Sequence, residues 1–299
     1  MPEKVDRKLK AALDETRLLI LGVQILLGFE FQAVFQDGFG SLDPASRHMS
    51  LAALALIVLS IALLIAPSMQ HRLVEAGQST RRLIATTNVL ASLALLPLTI
   101  GLALSAYVVT ERTFGPAFGA AFAAVLGGAA SFGWFGLEFM IGRHREAEQM
   151  PTSPTPLKTK IEQLLTEARL IIPGGQALFG SQFIAMLTTG FDRLPDTAKT
   201  VHAAALCLIG LNVIIMMTPA ALHRLSFGGE DSPDFLRMGS ALVIAGPAFL
   251  AAGMAAEIYV VFIKALNSPA AAASASIAAF LILVSFWYVW PLALRAKRN

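Results

Sequence analysis

Long apolar runs separated by short polar connections dominate the chain. Eight of them reach about 20 residues, enough to cross a hydrocarbon layer ~30 Å thick as a helix. They are residues 18–36, 49–67, 83–109, 116–141, 170–187, 201–219, 240–262 and 270–293. The runs are continuously apolar instead of alternating in period two, which predicts helices and argues against a closed β-barrel. Of the 23 basic and 20 acidic side chains, only Glu30, Glu138 and Glu257 fall inside them. Such avoidance is expected where a charge in lipid costs ~2.5–3.5 kcal/mol or more.

Finer patterning adds detail to this plan. Val5, Leu9, Ala12 and Leu13 recur on one helical face before the first run, as do Leu157, Ile161, Leu164 and Leu165 before the fifth. These stretches are expected to lie on the membrane or to run on into the spans that follow. Gly115, Gly119, Ala123, Gly127 and Ser131 form a four-residue ladder in the fourth run. The ladder serves close packing inside the bundle or a homodimer seam. Ala270, Ser274 and Ala278 are a weaker version in the eighth. Pro97 and Pro247 are expected to kink the third and seventh spans. Phe286, Trp287, Tyr288 and Trp290 read as an interfacial aromatic belt.

A shift of 152 residues lays the second half on the first. Glu15 and Arg17 fall on Glu167 and Arg169; Gly22, Gln24, Gly28 and Phe31 fall on Gly174, Gln176, Gly180 and Phe183. Gly38-Phe39 meets Gly190-Phe191, Pro67 with His71-Arg72-Leu73 meets Pro219 with His223-Arg224-Leu225, and Tyr107 meets Tyr259. The chain is thus an internal duplication with a boundary near residue 150, units 1–150 and 151–299. Its polar, proline-containing joint runs from Glu146 to Lys158. Four spans is an even number, so both units are expected to enter the membrane in one direction, as parallel repeats.

Composition fits this scheme: 56% hydrophobic and 14% charged residues, against roughly 25% charged in ordinary soluble domains. One cysteine excludes a disulfide scaffold. Alternate connections hold 18 and 5 of the lysines and arginines, the larger share beside both termini. By the positive-inside rule both termini are cytoplasmic. The first run is long and lacks a cleavage site, so it is expected to be a structural helix and not a removable signal. The basic excess implies anionic lipid headgroups as partners, not nucleic acid. The reading is an all-α polytopic helix bundle of eight spans.

Two sets of residues are candidates for chemistry. Glu15 and Arg17 open span one while His71 and Arg72 close span two, and Glu167, Arg169, His223 and Arg224 repeat the arrangement. The expected pairs are Glu15 with Arg72 and Glu167 with Arg224. The histidines beside them would sense pH or relay protons, or the group only anchors each hairpin. The second set is Glu30, flanked in sequence by Gln24, Gln32 and Gln36, and Glu257 in span seven. Gln176 is the counterpart of Gln24. An acid in lipid suggests proton uptake and release, although Glu257 could instead reach the interface or Lys264. Glu30 aligns with Gln182 and Glu257 with Ser105, so neither acid reads as duplicated. Phosphate loops, metal spacings and nucleophile elbows are lacking, and none of the five histidines lies deep in a span. Neither an enzyme nor a cofactor or metal is expected.

The string E-x-R-L-L/I-I-x-G-x-Q-x-L-x-G, followed by G-F and P-x-x-x-H-R-L, resembles a bacterial four-span membrane family of unknown function. Residues Glu15 to Gly28 with Pro67 to Leu73 carry it, and Glu167 to Gly180 with Pro219 to Leu225 carry it again. Phe29-Glu30 departs from the apolar pair the pattern would have. Some relatives carry a sodium:proton antiporter label, which the resemblance implies as a name alone. Two functions follow as expectations: a small ion-coupled transporter or channel using Glu30 and the His-Arg ends, or a structural or regulatory protein binding lipid or partners.

Overall fold

The computed structural model describes residues 2–132, 135, 155–225, 227 and 231–297, without the side chains of 2–15, 17, 18, 113, 183, 221, 224 and 225. Helices α1 (Pro2–Phe35), α2 (Pro44–Leu73), α3 (Arg81–Phe114) and α4 (Pro116–Ser131) come from the first half. The second contributes α5 (Leu157–Ala185), α6 (Asp196–Leu225), α7 (Pro233–Leu266) and α8 (Pro269–Val284). A π-helical turn (Ser285–Val289) carries α8 into a last segment, Trp290–Ala296. Each of the eight apolar runs begins on one of these helices, and no strand occurs among the described residues. Five helical stretches are long and apolar enough to cross a membrane: Pro44–Leu73, Arg81–Arg112, Asp196–Ala220, Pro233–Leu266 and Pro269–Ala296.

The duplication reaches the helix ends. Thr80 and Ser232 occupy equivalent positions and cap α3 and α7 alike, their hydroxyls accepting from Leu83 N and Phe235 N at 3.1 Å. At the other ends stand Gly115 (φ 88°) and Asn267 (φ 49°), equivalent again. Gly115 combines positive φ with an extended ψ of 169°, which glycine reaches most easily, Asn267 adopts the left-handed conformation that asparagine tolerates, and a proline follows each within two residues. Local chemistry therefore starts and stops these helices at matched places.

Helix α1 packs most extensively on α5, so one central seam joins the halves. Around it α2 packs on α3, α3 on α4, α6 on α7 and α7 on α8. Fully buried Ile20, Leu27, Phe31 and Phe35 of α1 meet a core that includes Leu54, Ile57, Ile61 and Leu64 of α2. Phe118, Phe122 and Val125 on α4, Ile214 on α6, and Ile277 and Leu281 on α8 point outward. An apolar exterior of this extent suits hydrocarbon, not water.

Several expectations change at this level. The amphipathic stretch before the fifth run is the first part of α5, and its apolar face turns into the protein: Ile161 and Leu164 are buried, with Leu164 seated over Gly239 of α7. Protein, not lipid, covers that face. In the small-residue ladder, Gly119 faces Tyr107 and Glu111, and Gly127 faces Ala103, so both rungs serve the α3–α4 contact. The aromatic group is no simple belt. Trp287 is fully buried and its indole donates to the Ala62 carbonyl at 3.0 Å, while Tyr288 donates to the Ile244 carbonyl at 2.7 Å. Prolines lie close to both destinations. Pro67 and Pro247 lie inside α2 and α7, where a missing N–H and ring clash loosen the preceding turn. The carbonyls so freed are those of Leu63 and Val243, and the two aromatic donors go to their neighbours, Ala62 and Ile244.

Candidate functional site

At one end of the bundle, the close of α2 meets the opening of α5. Nδ1 of His71 and Nε of Arg72 both engage the Glu167 carboxylate, and all three side chains are buried. Burial pushes the Glu167 carboxyl up, but the Arg72 guanidinium and His71 ring beside it more than reverse this and hold it below the usual carboxylate value. Glu167 lies three residues before the apolar run of α5. The surrounding contacts tie the halves further: Gln163 donates to the Ser79 hydroxyl at 2.8 Å, Ser79 N to Thr155 Oγ1 at 3.0 Å, and Thr155 N to Gln78 Oε1 at 2.8 Å.

This corrects the expected pairing of Glu15 with Arg72. Because α1 and α5 lie side by side at the seam, the acid that reaches Arg72 comes from the other half. Glu167 is correspondingly committed away from Arg224. The side chains of Glu15 and Arg224 are not among those described, and Glu138 lies outside the described residues. His223 is half-buried against the Phe235 ring, its Nε2 3.9 Å from Asp231.

At the opposite end a second buried pair joins α6 to α7. His202 Nδ1 lies 2.9 Å from Glu257 Oε2, and its Nε2 lies 3.2 Å from the Gln182 carbonyl of α5. The His202 ring sits edge-on to Phe191, with centroids 4.9 Å apart, and near Phe35. Glu257 therefore reaches neither the interface nor Lys264, and one histidine does enter the interior. His202 escaped notice in the sequence because it is only the second residue of its apolar run. Glu30 is half-buried, and Ser105 of α3 donates to its Oε1 at 2.5 Å.

Between the ends, buried amides line α5. Gln24 of α1 is wholly buried over Gly174, where any Cβ would collide with it, and Asn212 of α6 sits 2.8 Å from the Cβ position of Gly175. Pro173 interrupts the backbone hydrogen bonding of α5 immediately before these glycines. Gln24, Gln182 and Asn212 have both side-chain polar atoms without a hydrogen-bond partner among the described residues. Each unpaired group of this kind costs about 1–3 kcal/mol. Gln176, counterpart of Gln24, is exposed, its Nε2 4.0 Å from the Met217 sulfur. Glu167, Gly174 and Gln182 recur along α5 within roughly 80° of arc and span about 22 Å of rise. Groups of three or more His, Cys, Asp or Glu able to hold a metal are not found among the described residues.

A glycine fixes how closely the seam closes at the His202 end. A Cβ on Gly190 would run into the backbone carbonyl of Phe35, while one on its equivalent, Gly38, would meet only the Arg112 guanidinium at 3.3 Å. Gly190→Ala is therefore expected to destabilise by about 1–3 kcal/mol, the usual range for overpacking. Gly38→Ala, facing the mobile end of a side chain, is expected to change little. Thermal unfolding of the two variants in detergent checks the contrast.

Comparison with known proteins agrees with the duplicated architecture. No curated protein and no solved structure matches the chain. Over residues 1–138 and again over 152–291, the chain belongs to the family of unknown function DUF6328, in two tandem copies.

Proposed function

We propose that the protein is a multi-pass membrane transporter that moves protons, alone or coupled to another ion, along the polar face of α5. In this reading all eight apolar runs cross the bilayer as two parallel four-span repeats. Both termini lie in the cytoplasm of a bacterial inner membrane, in keeping with the 18-to-5 division of basic residues. The observation that carries the proposal is the file of buried polar groups beside α5. It begins at His71, Arg72 and Glu167, passes Gln24 and Asn212 at the loosened turn of Pro173, and ends at Gln182, His202 and Glu257. Ionisable groups at both ends and unpaired amides between them suit proton passage far better than they suit a core built for stability. No enzymatic chemistry is proposed.

The second reading, a structural or regulatory protein, draws support from the Glu167 clamp, which ties the two halves whether or not anything moves. In that case the outward phenylalanines of α4 would meet lipid or a second copy, with Ser131, the exposed rung of the ladder, at the margin.

Flux separates the two. Reconstituted protein is expected to dissipate an imposed pH gradient, read by an entrapped pH dye, with and without a sodium gradient. Glu257→Gln is expected to abolish that flux. Gln176→Leu, which changes a residue on the rim, is expected to leave it unchanged. A wild-type protein inert under both gradients would favour the structural reading.

A further inference from the structure

Positions 30 and 182 are equivalent at the 152-residue offset, and so are 105 and 257. In the first half the acid sits on the first helix and its hydroxyl partner on the third, Glu30 with Ser105 at 2.5 Å. In the second half the acid is Glu257 on the third helix, and the residue on the first is Gln182. His202 joins the two helices, 2.9 Å from the carboxylate and 3.2 Å from the backbone carbonyl of Gln182. Both halves thus place one carboxyl group across the same pair of helices at the same level, on opposite members of the pair. Only three charged residues enter the apolar runs at all, and two of them complete this pattern. The cost of a charge in lipid selects against keeping either acid without use. Repulsion between neighbouring carboxylates selects against two in one pair.

We propose that the first and third helices of each half form a proton-binding site that needs one carboxyl group on either helix, so that Glu30 and Glu257 are functional equivalents. The inference rests on the transport reading and names the groups that load the proton. On uptake, the carboxylate becomes a carboxylic acid. The Ser105 hydroxyl then turns from donor to acceptor, and the His202 ring holds Glu257 in either state through the proton they share. The sites differ in access: Glu257 is sealed beneath His202, whereas Glu30 is only half-buried.

Several other charged groups at this end have partners of their own. Glu111 of α3 accepts from Ser46 of α2 at 3.0 Å, and Arg112 donates to the Gly38 carbonyl at 2.6 Å. Asp37 takes the Thr189 hydroxyl, and Lys264 of α7 lies within electrostatic range of Asp37 and Arg193. The carboxyl partners of the two sites are therefore Ser105 and His202.

Exchanging the two arrangements tests the equivalence in the full-length protein. Glu30→Gln with Ser105→Glu gives the first half the amide and the acid of the second at equivalent positions, with Ser50 standing where the second half has His202. Gln182→Glu with Glu257→Ser does the reverse. Infrared titration of the carboxylic-acid carbonyl band is read beside flux. Glu30→Gln alone is expected to remove one titrating band and the flux, and adding Ser105→Glu to restore both. A folded double variant that still lacks the band overturns the proposal. So does failure of both exchanged proteins to fold, since equivalent sites must tolerate the exchange. If the wild type carries no flux, the transport reading fails by itself. The loss and return of the band then decide the equivalence alone.

Discussion

Glu167→Ala is expected to lower stability by about 3–5 kcal/mol, the range for breaking a buried ion pair from one side. The penalty comes less from the lost attraction than from what remains: a buried Arg72 guanidinium whose Nε has lost its carboxylate, beside His71. Arg72→Ala should cost a similar amount by stranding the carboxylate. Replacing both by methionine is expected to recover most of the loss, because apolar groups of similar volume carry no desolvation penalty. An exposed control is at hand in Arg237 and Asp234, 3.4 Å apart on α7. Such surface pairs are worth about 0.2–1 kcal/mol, so Asp234→Ala should barely register. Thermal or denaturant unfolding in detergent measures all four. A fall no larger than that of the control would mean that Glu167 is not the clamp between the halves. The pH dependence has a definite sign. The Glu167 carboxyl is held below its ordinary 4.5 in the folded protein. Its contribution is therefore present above that value and is lost as pH falls through the lowered one.

Why the clamp was not legible in the sequence has a geometric answer. The offset identifies Glu15 and Glu167 as equivalent, and likewise Arg72 and Arg224. Pairing within a half and pairing across halves satisfy that equivalence equally well. Only the packing of α1 against α5 separates them, and α1 is more intimate with α5 than with α2, its neighbour in sequence. The helices themselves were far easier to read. Apolar runs, capping residues and proline or glycine stops are local signals, and they recur at matched places in both halves.

The acids within the apolar runs were half legible. Burying so few charges drew attention to Glu30 and Glu257, but aligning each with its own counterpart made them look unrelated. Their relation appears only once Ser105 is seen against Glu30 and His202 is seen joining Glu257 to Gln182. A pairwise property can be duplicated while neither residue is. The buried amides were obscured for another reason. Gln24 and Gln176 are equivalent in sequence, yet one is buried over Gly174 and the other faces outward. Glycine at 174 and 175, after Pro173, opens space on one helix that its partner, Leu21-Gly22-Val23, does not reproduce.

Trp287→Ala is expected to cost about 3–5 kcal/mol, as for other large aromatic side chains removed from a core. The sequence places Trp287 in a cluster with Phe286, Tyr288 and Trp290, where an interfacial ring would tolerate alanine with far smaller loss. The structure instead buries it completely between α8 and α2, 225 residues from the Ala62 carbonyl that takes its indole proton. That carbonyl lies one residue before Leu63, whose own helical partner is missing because Pro67 has no N–H. Trp287→Phe keeps most of the volume and removes the donor, so it is expected to lose about 1 kcal/mol, one ordinary hydrogen bond. The size of the gap between the two variants therefore reports packing apart from hydrogen bonding. Unfolding of both in one detergent decides the matter. An alanine variant as stable as the phenylalanine variant would put Trp287 back at the interface and remove the tie that fastens the end of the chain to α2.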